Sequence, residues 1–332
     1  MEKYIQLEKR LYVNKNISLL KLIVILFFKI NPLLPHTNKH KKILLYIKIF
    51  LKSKSRLIYL PKKGDLVMKV SDTNYKVFST SNNIIYNLYH HNYERLAEKQ
   101  FNLIKYNRMI NLVKWDKKNM ILEEYYINGN HPTYAYLVNN PKVCSDLFVK
   151  MIKLSKVKKI NSDMYFNTLK NGIFDNLKKN TYILSKTQTK CISDFVEESI
   201  NYLNNNFPMT YIPQVVTHGD ITCNNLIIYK NNLIPIDWEF CDFRSPIFDI
   251  QFFLNKLEME KQIDSGVSSE IKVIASNADY ESQEIKSFFR TDREILYKLY
   301  LIEYVYLVLS QIEFREFAKD IEHYVIRYLA TY

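Results

Sequence analysis

The chain has 332 residues, 47% hydrophobic and 14% aromatic, enough to bury a sizeable core in one bilobal unit or two domains. Its four cysteines, Cys144, Cys191, Cys223 and Cys241, form no CxxC pair, so neither a zinc site nor a disulfide framework is indicated and a reducing, cytoplasmic setting is expected. The formal charge of +13 is confined to residues 1–63, where fifteen Lys or Arg stand against Glu2 and Glu8; the rest of the chain carries 32 basic and 32 acidic side chains and is neutral.

Residues 1–55 read as a basic, helical extension ahead of the body. The apolar run at 17–28 (ISLLKLIVILFF) is interrupted by Lys21; as a helix it reaches about 18 Å, short of the roughly 30 Å of a bilayer core. The leader contains acids and lacks a small-residue cleavage site, which argues against a signal peptide. Residues 42–52 (KILLYIKIFLK) repeat the pattern. Two readings stand side by side: cationic segments lying on an anionic membrane, giving a peripheral contact at its inner face, or helices packed on the body with solvated lysines. Nucleic-acid binding has only charge in its favour, because no RNP, zinc-finger or helix-turn-helix pattern accompanies it.

Residues 56–79 alternate as three short strands with turns at 61–64 and 71–74, the start of a small antiparallel sheet. Residues 92–105 have helical spacing, with Leu96, Phe101 and Ile104 apolar. Residues 120–126 (MILEEYY) read as a strand leading into a connection. From Pro132 onward helices dominate. Leu147, Phe148, Met151 and Ile152 form one core stripe; Ile192, Phe195, Val196, Ser199, Ile200 and Leu203 form another. Residues 294–312 carry Ile295, Leu299, Ile302, Val305, Leu309 and Ile312 at helical spacing, a long buried helix.

Between these helices lies the densest set of chemically useful side chains, residues 215–243 (VVTHGDITCNNLIIYKNNLIPIDWEFCDF). Two apolar runs, 226–229 and 233–236, flank Lys230-Asn231-Asn232 and predict a hairpin. Such a hairpin brings Asp220 and Asn225, before its first strand, close to Asp237 and Glu239, after its second. Oxygen donors converging in this way suit Mg²⁺, which takes one or two carboxylates and completes its shell with water and substrate phosphates. Phosphoryl transfer needs the same division of labour: one carboxylate to orient and deprotonate a hydroxyl, an amide and a second carboxylate to hold the metal. Cys223, inside this loop but without a suggestively spaced histidine, reads as packing.

His218-Gly219-Asp220, Asn225 and Ile236-Asp237-Trp238-Glu239 together resemble the aminoglycoside phosphotransferase and choline kinase superfamily, with the Asp-aromatic-Glu form closer to the choline kinase side. The resemblance implies an α+β, bilobal, protein-kinase-like fold: a small antiparallel-sheet N-lobe at 56–126 and a larger, mainly helical C-lobe at 127–332 bearing the catalytic loop. It implies Asp220 as catalytic base, Asn225 and Asp237 as Mg²⁺ ligands, and Asp249 as a buried carboxylate bracing the loop that His218 begins. Glu239 stands between a supporting place beside the metal and a structural hydrogen bond.

Lys76 is the candidate for contacting the ATP phosphates, with Lys69 as runner-up and a solvated strand lysine as the alternative. Glu98, ahead of Glu94, is the helix acid that would pair with that lysine. Glu124 and Tyr125 are nearest to the backbone that related kinases offer to adenine. No Gly-rich phosphate loop is visible, a departure from protein kinases that weakens the assignment of the small lobe. Glu303, Tyr304 and Tyr306 are candidates for an acceptor pocket, with core packing as the alternative.

The expected activity is Mg-ATP-dependent phosphorylation of a small-molecule hydroxyl, on an amino alcohol such as choline or on a sugar or surface-saccharide precursor. The alternative is a catalytically inactive, nucleotide-binding scaffold.

Overall fold

The structure, a computed structural model, describes residues 1–8, 10–18, 21, 57–70, 73–103, 105–109, 111–259 and 265–311. The run at 42–52, and residues 19, 20 and 22–28 of the run at 17–28, lie outside these. Within the described residues no helix is long and apolar enough to cross a membrane.

In chain order the first strands are β1 (Glu2–Glu8), β2 (Leu11–Asn14), β3 (Leu57–Leu60), β4 (Leu66–Lys69), β5 (Tyr75–Ser79) and β6 (Ile84–Leu88). Helix α1 (Glu94–Leu103) follows, then β7 (Leu112–Asp116) and β8 (Ile121–Tyr125). The chain continues through α2 (Tyr134–Asn139), α3 (Pro141–Lys153), β9 (Lys158–Asn161), α4 (Ser162–Lys179), α5 (Lys186–Asn206) and β10 (Tyr211–Thr217). The hairpin β11 (Leu226–Tyr229) and β12 (Asn232–Pro235) and strand β13 (Asp242–Arg244) precede α6 (Phe248–Met259), α7 (Ser265–Ser276), α8 (Gln283–Phe289) and α9 (Arg293–Ser310). These divide into two compact units, Met1–Leu137 with Thr222–Phe240, and Val138–Ile221 with Cys241–Tyr332.

The first unit is an eight-stranded antiparallel sheet in the order β3-β1-β2-β4-β5-β6-β8-β7. Its start differs from the boundary expected at residue 56. Glu2–Glu8 and Leu11–Asn14 are strands of the sheet, where Tyr4 and Tyr12 join Leu60, Val67, Val77, Leu88 and Ile121 in one core cluster. The Tyr4 hydroxyl donates to the Lys62 carbonyl at 2.7 Å and accepts from Gly64 N–H at 2.8 Å, which lets the ring be fully buried.

The second expected boundary, at 127, also differs, because hairpin β11–β12 belongs to the sheet unit. Ile228 N–H donates to the Asn130 carbonyl at 2.7 Å, and a Cβ on Gly129 would lie 2.4 Å from the Ile228 carbonyl oxygen, so the two backbones meet where only glycine fits. The hairpin turn is tighter than the three residues expected. Lys230 and Asn231 both have positive φ (49° and 61°), the signature of a two-residue turn matched to strand twist, and Asn232 already pairs with Tyr229.

The second unit is mainly helical, with a three-stranded sheet ordered β13-β10-β9. Helix α5 starts at a capping box made by Ser185 and Gln188 and buries Ile192, Val196, Ser199, Ile200 and Leu203, the stripe read from the sequence apart from Phe195. Helix α9 is buried nearly all round, from Ile295 to Leu309. Of the acceptor-pocket candidates on it, Glu303 and Tyr304 are buried and serve the core, which corrects the expectation for them. Glu303, 1% exposed, accepts from Ser245 N–H (2.7 Å), Ser245 Oγ–H (2.6 Å) and Tyr165 O–H (2.6 Å). Tyr304 stacks on Tyr300, and Tyr306 lies where a Cβ on Gly172 would come within 2.5 Å of its ring.

Glu303→Ala would orphan three buried donors at ~1–3 kcal/mol each and is expected to lower the thermal midpoint by roughly 6 °C or more. A scanning-calorimetry midpoint equal to wild type would dismiss this account. Burial raises the Glu303 carboxyl above the ordinary glutamate range despite its three donors. The folded protein therefore holds that proton more tightly than the unfolded chain does. The contribution of this group to stability is complete below the ordinary range and is lost as pH rises through its folded value. Glu303→Gln should flatten that part of the urea-midpoint profile.

Candidate active site

The sheet unit contains a cleft of about 220 Å³. Its apolar lining is supplied by Met68, Phe78, Ile85 and Ile227, and its polar lining includes Lys76, Glu124, Asn225 and Asp237. Strand register explains the set. Met68 pairs with Lys76 and Lys76 with Asn87, while Phe78 pairs with Ile85 and Ile85 with Glu124. Directly opposed residues and those two apart share a face, so these positions form two rows on one side of the sheet. Lys69 follows Met68 and therefore belongs to the other face, which removes it as the alternative lysine.

Lys76 Nζ lies 3.0 Å from Asp237 Oδ2. Burial pulls the ammonium towards neutrality, but Asp237, Glu124 and Glu239 outweigh it and hold its pKa above the ordinary lysine value. Glu239 thus contributes to the field at Lys76. Glu124 is 6% exposed and accepts from Asn87 Nδ2–H at 3.1 Å. Burial raises its carboxyl above the ordinary range, with Lys76 pulling the other way.

The hairpin delivers the remaining cleft groups. Ile236 N–H donates to the Asn225 carbonyl at 2.9 Å, continuing the β11–β12 ladder by one step, and Asn225 and Asp237 both line the cleft. Asp237 has φ 62°, a left-handed backbone that Asp tolerates better than most residues, at the point where the strand ends. Trp238 Nε1–H donates to the Pro235 carbonyl at 3.3 Å and is buried behind it. One carboxylate and one amide oxygen, with an ammonium already seated on the carboxylate, fit a Mg²⁺ that draws its other ligands from phosphates and water.

Glu98 is not part of this cleft. Helix α1 turns Ala97, Gln100 and Leu103 inward, whereas Glu94 and Glu98 are partly exposed and pair with Lys117 at 3.0 and 3.5 Å. Helical spacing does not say which face of α1 meets the sheet; burial of Ala97, Gln100 and Leu103 leaves Glu98 on the solvent side, where it pairs with Lys117 nineteen residues away. Glu124 enters the cleft through its side chain, while its backbone lies in the β6–β8–β7 ladders. Tyr125 borders the cleft, but its N–H and C=O are both engaged by Asn111. Sequence reading missed Asn87, Asn111 and His131, the last bonded through Nδ1 to the Leu226 carbonyl at 2.8 Å. Single polar residues in strands and connections give no local signal.

In the helical unit, β10 runs to Thr217 and opens into His218-Gly219-Asp220. Gly219 has φ 87°, which favours glycine, and the turn it makes presents two successive N–H groups to one carboxylate. Asp249 Oδ2 accepts from His218 N–H at 2.7 Å and Oδ1 from Gly219 N–H at 2.9 Å. The buried His218 ring accepts Asp220 N–H at Nδ1, 3.2 Å. Burial raises the Asp249 carboxyl; His218, the two N–H donors and Arg244 oppose it. Arg244, another residue the sequence did not single out, is buried, donates to Thr217 Oγ1 at 2.7 Å and lies 4.6 Å over the Phe248 ring. Cys223, in the hairpin's leading loop, is buried as packing would have it.

Asp249→Asn turns an amide NH₂ towards one of two buried donors and is expected to cost ~1–3 kcal/mol, read as a lower urea midpoint. An unchanged midpoint would show that the turn holds without the second acceptor.

Residues 131–266 match the ecdysteroid kinase-like family. No curated protein matches the chain by sequence. Among solved structures, it is similar to choline kinase LicA from Streptococcus pneumoniae (TM-score 0.50, 14% identity, covering 89% of this chain and 100% of that one). It is also similar to an ethanolamine kinase from Plasmodium vivax (TM-score 0.51, 15% identity, 75% and 77%). A third likeness is to APH(2")-IIa in its gentamicin complex (TM-score 0.51, 16% identity, 80% and 90%). The fold is that of the choline kinase and aminoglycoside phosphotransferase superfamily, a protein-kinase-like fold with an antiparallel sheet ahead of a helical part.

Proposed function

We propose that this chain is a phosphotransferase that moves the γ-phosphoryl group of ATP to a hydroxyl of a small molecule. The observation that carries the reading is the Lys76–Asp237 ion pair in a cleft that Asn225 also lines. An ammonium for the phosphates and two oxygen donors for Mg²⁺ are together, which is what a bound triphosphate requires. Bound Mg²⁺ would supply charge neutralisation between the phosphates, held by Asp237 and Asn225. Lys76 would orient the phosphates as a point charge, and the apolar lining around Phe78 and Ile85 would exclude water from the nucleotide.

Asp220 is the proposed base. It follows the turn that Asp249 grips through two N–H bonds and precedes Asn225 by five residues. In this reading its carboxylate orients the acceptor hydroxyl and takes its proton as the oxygen attacks phosphorus. Most of the acceleration then comes from positioning and electrostatics.

The acceptor proposed first is an amino alcohol, as for the choline and ethanolamine kinases whose fold it shares, and second a sugar hydroxyl. Incubation with Mg-ATP and a panel of choline, ethanolamine, simple sugars and gentamicin should give acceptor-dependent ADP release. Tight Mg-nucleotide binding with no turnover on any acceptor would favour the scaffold reading instead.

A further inference from the structure

We infer that the phosphate-binding lysine and the acid that sets its place both stand on strands other than the usual ones: Lys76 on β5, ion-paired to Asp237 at 3.0 Å, is positioned by Glu124 on β8 from across the row that Asn87 occupies, and helix α1 takes no part. The inference rests on the phosphotransferase reading and deepens it. In protein kinases the lysine lies on the strand that enters the helix, and the helix supplies its glutamate. Here the strand before α1 is β6, with the sequence IIYNL and no lysine. Its residue at the lysine's place in the row is Asn87, directly opposite Lys76 on the neighbouring strand.

Further observations agree. Glu124 lies one strand beyond β6, on the same face as Lys76 and Asn87, because Ile85 pairs with Glu124 and Ile85 and Asn87 are two apart. It is buried and tied to Asn87 at 3.1 Å, a place where a carboxylate is costly without a cation within its field. Its neighbour Glu123 points the other way and pairs with Lys62 at 3.1 Å, so adjacent glutamates serve opposite faces. Asn87 gives its amide N–H to Glu124, and its Oδ1 has no hydrogen-bond partner among the described residues, an acceptor left in the row that Lys76 occupies. On α1, the inward residues are Ala97, Gln100 and Leu103, none of them acidic, while Glu94 and Glu98 pair with Lys117. Glu124 is thus a positioning residue, acting on phosphate through Lys76.

The test uses the full chain and Mg-ATP affinity by calorimetry, with steady-state kinetics on any acceptor that turns over. Glu124→Gln, nearly isosteric, should weaken Mg-ATP at least tenfold and raise the nucleotide KM while leaving the acceptor KM within twofold. Glu98→Gln should leave all three within twofold. Lys76→Met should lose nucleotide affinity, and Lys76→Met combined with Asn87→Lys should regain at least tenfold of that loss, by returning the ammonium to the central strand. The double variant keeps Glu124 and is an independent arm: regained affinity requires a folded cleft in which Glu124 positions the restored ammonium, and no regain would overturn the relocation. Equal losses in Glu98→Gln and Glu124→Gln would overturn the relocation while leaving the phosphotransferase reading intact; full affinity in Lys76→Met would overturn the relocation and also remove the lysine from that reading. Absence of Mg-ATP binding by the unaltered chain would overturn both.

Discussion

Asp220→Asn is expected to lower acceptor-dependent phosphoryl transfer by about 10²–10⁴-fold, the contribution of a positioned general base, with Mg-ATP affinity within a few-fold of wild type. The asymmetry follows from where the groups sit. Asp220 belongs to a turn held through backbone N–H groups by Asp249 and by the His218 ring, and none of those bonds uses the Asp220 carboxylate. Asparagine keeps the size and the backbone bond and removes only the basicity. ADP release at saturating nucleotide and acceptor measures the effect. A variant that turns over at half the wild-type rate or better would remove Asp220 from the chemistry. The nucleotide cleft would then need another base.

Asp237→Asn is expected to weaken Mg²⁺-dependent nucleotide binding by about 10²-fold or more, because a metal held at a phosphate is worth several kcal/mol of charge stabilisation. Two losses coincide in this one side chain: the proposed carboxylate ligand of Mg²⁺, and the anion lying 3.0 Å from Lys76. Asparagine is the informative replacement, since it tolerates the left-handed φ of 62° and isolates charge from backbone strain. The Mg²⁺ dependence of nucleotide affinity checks it. If the variant binds ATP as tightly with Mg²⁺ as wild type does, Asp237 is only the lysine's partner. The metal would then have to be held elsewhere.

The local rules of the chain were sufficient for several elements. Apolar runs around Lys230 and Asn231 specified the hairpin, helical spacing specified the buried stripe of α5, and the cluster from His218 to Glu239 supplied the residues from which the proposed site is drawn. Each is written in residues a few positions apart, where turn propensity and side-chain period act directly. Charge was a poorer guide. The basic excess of residues 1–63 drew the first residues into an extension, whereas the alternation that buries Tyr4 and Tyr12 makes them strands of the sheet.

The tertiary structure alone decided partners. Which face of a strand meets the cleft depends on register across several strands, and a shift of one residue would send Lys76 and Glu124 to the opposite side. Lys76 meets a carboxylate 161 positions away, Glu303 takes its donors from Ser245 and Tyr165, and Glu98 is drawn outward by Lys117. No local period encodes such pairs. A charged side chain in the sequence states what it can bind, and only the packing of distant elements, with its cost for every buried charge left unmatched, fixes which group it does bind.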